Sequence, residues 1–140
     1  MSAYDISKID VWAGALVDRP GGLAECLEPL AEAGNNFEFV FARRDHPGTG
    51  SVFLSPVKGS TQSNVARKAG LTRSPTIHAL RIQGPDRVGL SVKVTRALGD
   101  AGVNVCGLSG VAVGKQCTMH IAFDSAQDAV KAMRILKKAL

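Results

Sequence analysis

The chain has 140 residues, of which 45% are apolar and 21% charged, with a formal net charge of +5. That length allows one ordinary domain or two small ones, and the composition excludes a disordered or low-complexity chain. The longest apolar run, 11–17, is far too short to span a bilayer, and Asp5, Lys8 and Asp10 interrupt any signal-peptide core, so the expectation is a cytoplasmic protein without membrane contact.

Three cysteines, Cys26, Cys106 and Cys117, form an odd set with no paired spacing, as free thiols in a reducing compartment would. The charge is uneven. Residues 1–66 carry 5 Lys/Arg against 8 Asp/Glu and residues 67–140 carry 12 against 4, so the two parts stand at −3 and +8 and sum to +5. Such an imbalance fits a basic partner-facing surface or two modules that attract one another.

Ile9, Val11, Ala13, Ala15 and Val17 alternate with Asp10, Trp12, Gly14 and Leu16, which predicts a first strand whose apolar face holds the odd positions. Trp12 then falls on the other face and implies that this face is covered too, by a second module or a second copy. The strand ends at Asp18-Arg19-Pro20-Gly21-Gly22. Proline suits the first helical turn, and the glycines allow a sharp reversal with exposed amides. The helix that follows has Leu23, Leu27, Leu30 and Ala31 as its stripe, Pro29 as an internal kink and Gly34 as a left-handed cap. Phe37, Phe39 and Phe41 predict a second strand, 43–50 a polar hairpin loop and 52–57 a third strand. A weaker helix runs from Gly59-Ser60 to Ala69.

Residues 71–75 read as a short extended piece, and His78, Leu80 and Ile82 as the start of another strand. The next helix places Leu90, Val94, Ala97, Leu98 and Ala101 in a core, and 104–113 with 116–123 form a hairpin. Ser125 with an acid at Asp128 is an N-cap signature for a last helix that buries Ala129, Val130, Met133 and Leu136.

The turn and its helix occur twice. Shifted by 68 residues, 18–37 lies over 86–105 without a gap, and seven of the twenty positions are identical: Asp18/Asp86, Arg19/Arg87, Gly21/Gly89, Leu30/Leu98, Ala33/Ala101, Gly34/Gly102 and Asn36/Asn104. Each copy reads strand–helix–strand–strand–helix, one strand short of a ferredoxin-like module. The predicted fold is α+β: two ferredoxin-like βαββαβ modules in tandem, 1–70 and 71–140, with antiparallel sheets and helices on one face. Residues 71–75 can supply the missing strand of the first module. Residues 4–7 align with 72–75 and can close the second, an exchange of the edge strand between modules.

No histidine sits beside a serine or cysteine with an orienting acid, so no catalytic residue is assigned. His78, His120 and Cys117 lack any recognised zinc spacing, and the glycine-rich turns match neither a phosphate-binding loop nor a dinucleotide fingerprint. No metal or cofactor is called for. A basic ferredoxin-like protein also invites a nucleic-acid reading, but Phe37, Phe39 and Phe41 lack interleaved basic residues, and their counterparts in the second copy are not aromatic. The repeated turn carries more. A helix N-terminus offers free N–H groups and partial positive charge to a carboxylate, glycines admit a ligand to the backbone, and an Asn side chain can donate and accept. A carboxylate beside an ammonium group is what an amino acid presents.

Asp18-Arg19-Pro20-Gly21-Gly22-Leu23 followed by Ala33-Gly34-Asn35-Asn36, with its second copy at 86–90 and 100–105, resembles the ACT domain over nearly the whole chain. The resemblance implies a tandem pair of regulatory modules that bind a small molecule, most often an amino acid, at an interface between modules. It assigns ligand contacts to Asp18, Gly21, Gly22, Leu23 and Asn36, and to Asp86, Gly89, Leu90 and Asn104. Val88 and Leu90 depart from the pattern, so the first site is expected to admit a carboxylate more closely, with the Leu90 side chain over the second. The expectation is a stand-alone, non-catalytic amino-acid-binding regulatory protein, a homodimer or larger. The alternatives are a regulatory subunit docking onto a metabolic enzyme and, below that, a nucleic-acid-binding protein.

Overall fold

The computed structural model describes residues 2–140. In chain order the elements are β1 (Asp5–Val17), α1 (Gly22–Glu32), β2 (Phe39–His46), β3 (Thr49–Ser55), α2 (Ser60–Lys68), β4 (Thr72–Pro85), α3 (Leu90–Asp100), β5 (Gly107–Val113), β6 (Gln116–Phe123) and α4 (Ala126–Ala139). The class is α+β with antiparallel strands, the arrangement of ferredoxin-like ACT-type modules. The chain divides into two compact units, Asp10–Ser74 and, in the other, Pro75–Leu140 with the residues up to Ile9.

In the Asp10–Ser74 unit the hydrogen-bonded strands run β2-β3-β1-β4, with only the start of β4 included. Trp12, Cys26, Leu30, Val52, Leu54, Ala66 and Leu71 form its core, with Leu16 and Leu27 packed against it. The expected facing of β1 holds only in part: Val11 of the odd row is 5% exposed, and so is Trp12 of the even row. Trp12 lies opposite Leu54 in the register and belongs to the unit's own core, whereas Val17 is 63% exposed. Both faces of the strand carry apolar residues, so alternation gives the period without naming the inner side. Trp12 therefore needs no second module or copy to cover it, and the Arg67 guanidinium lies 5.5 Å from its ring centroid.

The expected polar loop 43–50 is mostly strand. β2 continues to His46 and β3 starts at Thr49, leaving Pro47 and Gly48 as the hairpin tip. In α1 the inward stripe is Cys26, Leu27 and Leu30, while Leu23 is 37% exposed. Gly14 is required by the packing of β1. A Cβ there would stand 2.8 Å from both the Gly70 carbonyl oxygen and the Leu71 Cδ2.

In the Pro75–Leu140 unit the strands run β5-β6-β4-β1, with only the start of β1 included. The expected short piece 71–75 and the strand beginning at His78 are one continuous element, β4. The core gathers Ile6, Leu80, Ile82, Leu90, Val94, Leu98, Met119, Ile121 and Phe123 against Ala129, Ala132 and Leu136 of α4. Val130, expected inside, is 60% exposed, and Ala132 takes an inner position instead. Ser125 caps α4 by accepting a hydrogen bond from the Asp128 N–H at 3.0 Å.

Candidate functional site

The two strand-to-helix turns have the same construction. The Asp18 N–H donates to the Gly48 carbonyl at 3.1 Å, and the Asp86 N–H to the Lys115 carbonyl at 2.8 Å, so each turn is tied to the tip of a hairpin in its own unit. The Gly22 N–H then donates to Arg19 at 3.1 Å, and the Leu90 N–H to Arg87 at 3.2 Å. Gly21 and Gly89 are the N-caps, at φ 83° and 82°, a left-handed conformation that costs a glycine nothing.

Neither N-cap supplies a side-chain hydrogen bond, and the glycine N-cap of α2, Gly59, supplies none either, whereas α4 has one from Ser125. The next N–H groups to be used are those of Glu25, to Gly21, and Lys93, to Gly89. Among the described residues the N–H groups of Leu23 and Ala24 in α1, and of Ser91 and Val92 in α3, therefore have no backbone acceptor. Each turn thus exposes two amide donors at the positive end of a helix, the arrangement that favours a carboxylate or another anion.

The side chains around the two turns differ. Asp18 accepts from the Arg44 guanidinium, and Arg19 pairs with Glu25. In the second copy Asp86, Arg87 and Val88 are exposed, and Lys93 replaces Glu25. Leu90 does not lie over its turn: it is 8% exposed and belongs to the core of its unit. The expected obstruction of the second turn by its isobutyl group is absent. Gly22 has a packing cause, since a Cβ there would stand 2.4 Å from the Val17 carbonyl oxygen.

The asparagines are at the other end of their helices. Asn36 follows α1, and an 11-residue helix is about 16 Å long, so Asn36 and the 18–23 turn of the same unit cannot hold one amino acid between them. Asn104 stands in the same relation to the 86–91 turn across α3. Both Asn36 and Asn104 are exposed. Asn35 is structural. Its amide donates to the Pro56 carbonyl at 2.9 Å and its oxygen accepts from the Lys58 N–H at 3.2 Å, fixing the segment before α2. The free N–H groups of the turns belong to the sequence-based expectation, but the ties of Asp18 and Asp86 to the hairpin tips lie beyond it. Their only signal in the sequence is the coincidence of Gly48 and Lys115 at nearly the repeat offset.

The other candidate chemistry is dispersed. His78 lies opposite Phe123 and His120 opposite Arg81, which puts the two histidines on opposite faces of their strands. Among the described residues no group of three or more His, Cys, Asp or Glu could hold a metal ion. Burial pushes the Cys26 and Cys117 thiols up from their ordinary value, away from the nucleophilic thiolate. The Phe41 and Phe53 rings pack at 6.4 Å, but the neighbouring Arg43 and Arg44 pair with Asp45 and Asp18. No helix among the described residues is long and apolar enough to cross a membrane.

Compared by sequence, the chain matches no protein-family model and no curated protein. Compared by structure, it is similar to a Bacteroides thetaiotaomicron protein at TM-score 0.75 and 18% identity, over 98% of this chain and 90% of that one. It is similar to the ligand-free regulatory subunit of aspartate kinase from Thermus thermophilus at TM-score 0.68 and 16% identity, over 99% and 97%. The aspartate kinase regulatory subunit from Thermus flavus follows at TM-score 0.57 and 18% identity, over 99% and 97%. At these identities the likeness is one of fold: the chain has the ACT-type fold of aspartate kinase regulatory subunits.

Proposed function

We propose that this protein is a regulatory protein that binds a free amino acid, with the ligand carboxylate on the open amides of a strand-to-helix turn. The observation that carries this reading is the turn built twice, before α1 and before α3, tied each time to a hairpin tip, closed by a left-handed glycine and leaving two N–H groups without a backbone acceptor. The fold shared with regulatory subunits supports the same reading. Gly21, Gly22, Leu23 and Gly89 then form the carboxylate end, and the ammonium group is assigned to Asp86 and to Asp18, which would exchange its Arg44 partner for it. Leu90 serves the core, and Asn36 and Asn104 complete a site whose turn belongs to a second copy of the chain. The likeness to subunits of an enzyme also favours a second reading, in which the chain acts docked onto a metabolic enzyme.

The test is a thermal-shift screen of the twenty amino acids. A ligand at 100 times its dissociation constant stabilises the fold by about 2.7 kcal/mol, a shift on the order of 5–10 °C for a protein of this size. The hit is then repeated with Leu23→Pro and Ser91→Pro. Proline is tolerated in a first helical turn and deletes an N–H that the ligand would use, and Leu23→Ala and Ser91→Ala, which keep the N–H, control for the lost side chain. Loss of the shift in one or both proline variants supports the reading. No shift with any amino acid contradicts the ligand class.

A further inference from the structure

Strands β2 and β5 are repeat-equivalent and each ends the hydrogen-bonded order of its unit, yet only β2 is closed against further pairing. β2 carries Arg43, Arg44 and Asp45, and its register shifts between Arg44 and His46. Charges and a bulge are what keep an edge from taking up another strand. At the repeat offset of 68 the same three positions in β5 are Val111, Ala112 and Val113. β5 has no charged residue and no proline, and its register on β6 runs unshifted from end to end. All three replacements are exposed, Val111 at 59% and Val113 at 75%.

The backbone of β5 is laid out for a further strand. Val113 and Gln116 are partners across the two-residue turn at Gly114 and Lys115, so this pair exchanges both backbone hydrogen bonds, and every second pair along β5 does the same. Gly107, Ser109, Val111 and Val113 thus bond to β6, while Leu108, Gly110 and Ala112 direct three N–H and three C=O groups away from it. Only another extended backbone matches such a row at this spacing. Val111 and Val113 put an apolar pair beside the row, on the face away from the core residues Met119 and Cys117, which lie opposite Gly110 and Ala112. The surrounding charge is mostly positive. The unit, 1–9 with 75–140, carries 10 Lys/Arg against 5 Asp/Glu. Lys115 follows the end of β5, and the bond from the Asp86 N–H to its carbonyl brings the exposed Asp86 and Arg87 to the same end.

We propose that β5 takes up an extended acidic segment of a different protein as an added strand. The segment pairs backbone to backbone along Leu108, Gly110 and Ala112, sets apolar side chains beside Val111 and Val113, and places a carboxylate at the Lys115 end. A second copy of this chain does not fit the edge. Its β5 brings a unit of the same positive charge, and its β2 is closed by Arg43, Arg44, Asp45 and the bulge. The proposal is independent of the amino-acid reading, because it uses the edge of β5 and not the open amides of the turns.

The experiment is fluorescence anisotropy on the full chain with a set of labelled synthetic peptides, each about eight residues long to span the edge. They carry valine, isoleucine or threonine at alternate positions and glutamate at one end, both ends or neither. At least one glutamate-bearing peptide should bind saturably, and its lysine counterpart at least about tenfold more weakly. N-methylation of every second amide should abolish binding in one of the two alternations and spare it in the other, because an added strand uses alternate N–H groups. Gly110→Pro deletes an outward N–H and leaves the β6 ladder intact, and Val111→Arg/Ala112→Arg/Val113→Asp carries the charges of β2. Each should bind at least about tenfold more weakly, with thermal melts showing both to be folded. In amide hydrogen exchange the peptide should protect Leu108, Gly110 and Ala112. Binding indifferent to both methylation patterns and to Gly110→Pro overturns strand addition, as does failure of every peptide to bind. A wild type that self-associates in sedimentation velocity while Gly110→Pro stays monomeric would give the edge to a second copy and overturn the proposed partner.

Discussion

Tyr4 donates its hydroxyl to the Pro85 carbonyl at 2.7 Å, joining the start of β1 to the end of β4 within one unit. The same ring lies on Gly84, where a Cβ would stand 2.4 Å from Tyr4 Cδ1 and 2.9 Å from the Ala3 carbonyl oxygen. Tyr4→Phe keeps the ring and loses the bond, so it should cost about 1 kcal/mol. Gly84→Ala should cost more, because part of the clash is with backbone that cannot swing aside. Denaturant melts of the two variants check this order. A neutral Gly84→Ala would mean that the N-terminal segment does not sit on β4.

The N-caps are a second place where the backbone sets the outcome. Gly21→Ala and Gly89→Ala each force a Cβ into a left-handed conformation and should destabilise by about 1–2 kcal/mol, although alanine is the better helix former. Ser125→Ala removes the side-chain cap of α4 and should cost about 1 kcal/mol. Equal stability of Gly89→Ala and wild type would show that the second turn does not have the geometry of the first.

The buried thiols give a pH dependence with a defined sign. Burial raises Cys26 and Cys117 above the ordinary value of 9.0, and the Asp86 charge adds to the effect at Cys117. The folded protein therefore holds these protons more tightly than the unfolded chain. The stability they contribute is fully present below about pH 9 and is lost as pH rises through the raised folded values. The melting temperature should fall above pH 9, and more gently in Cys26→Ala/Cys117→Ala, whatever that variant's own stability. Parallel alkaline slopes for the two proteins would contradict the assignment.

The element order, the repeat and the α+β class are legible in the sequence because they rest on local signals: period, the Gly34 and Gly102 caps, and the Ser125 cap. The inner side of β1 is not. Ile9, Val11 and Ala13 make as good an apolar row as Trp12 and Leu16, and only the pairing of Trp12 with Leu54 and Gly14 with Val52 decides between them. The hairpin resembles a loop in sequence because Arg43, Arg44 and Asp45 are polar. They nonetheless stay in strand, since β2 is an edge of its unit and its exposed side chains pair with one another and with Asp18. At the turns, Gly22 and Leu90 stand in sequence as ligand neighbours, but packing explains both. The asparagines do not face the turns of their own units, because a motif carries no distance and the length of α1 separates them. What the motif does contain is the pair of glycine N-caps, and the open amides follow from those.

The most direct measurement is a titration of uniformly labelled protein with the amino acid that stabilises it most, followed by amide chemical shifts. The largest changes are expected at the N–H groups of Leu23 and Ala24, of Ser91 and Val92, or of both pairs, with smaller changes at Gly48 and Lys115, which anchor the turns. Saturable changes confined to other parts of the chain, with these four amides unmoved, would contradict carboxylate binding at the turns.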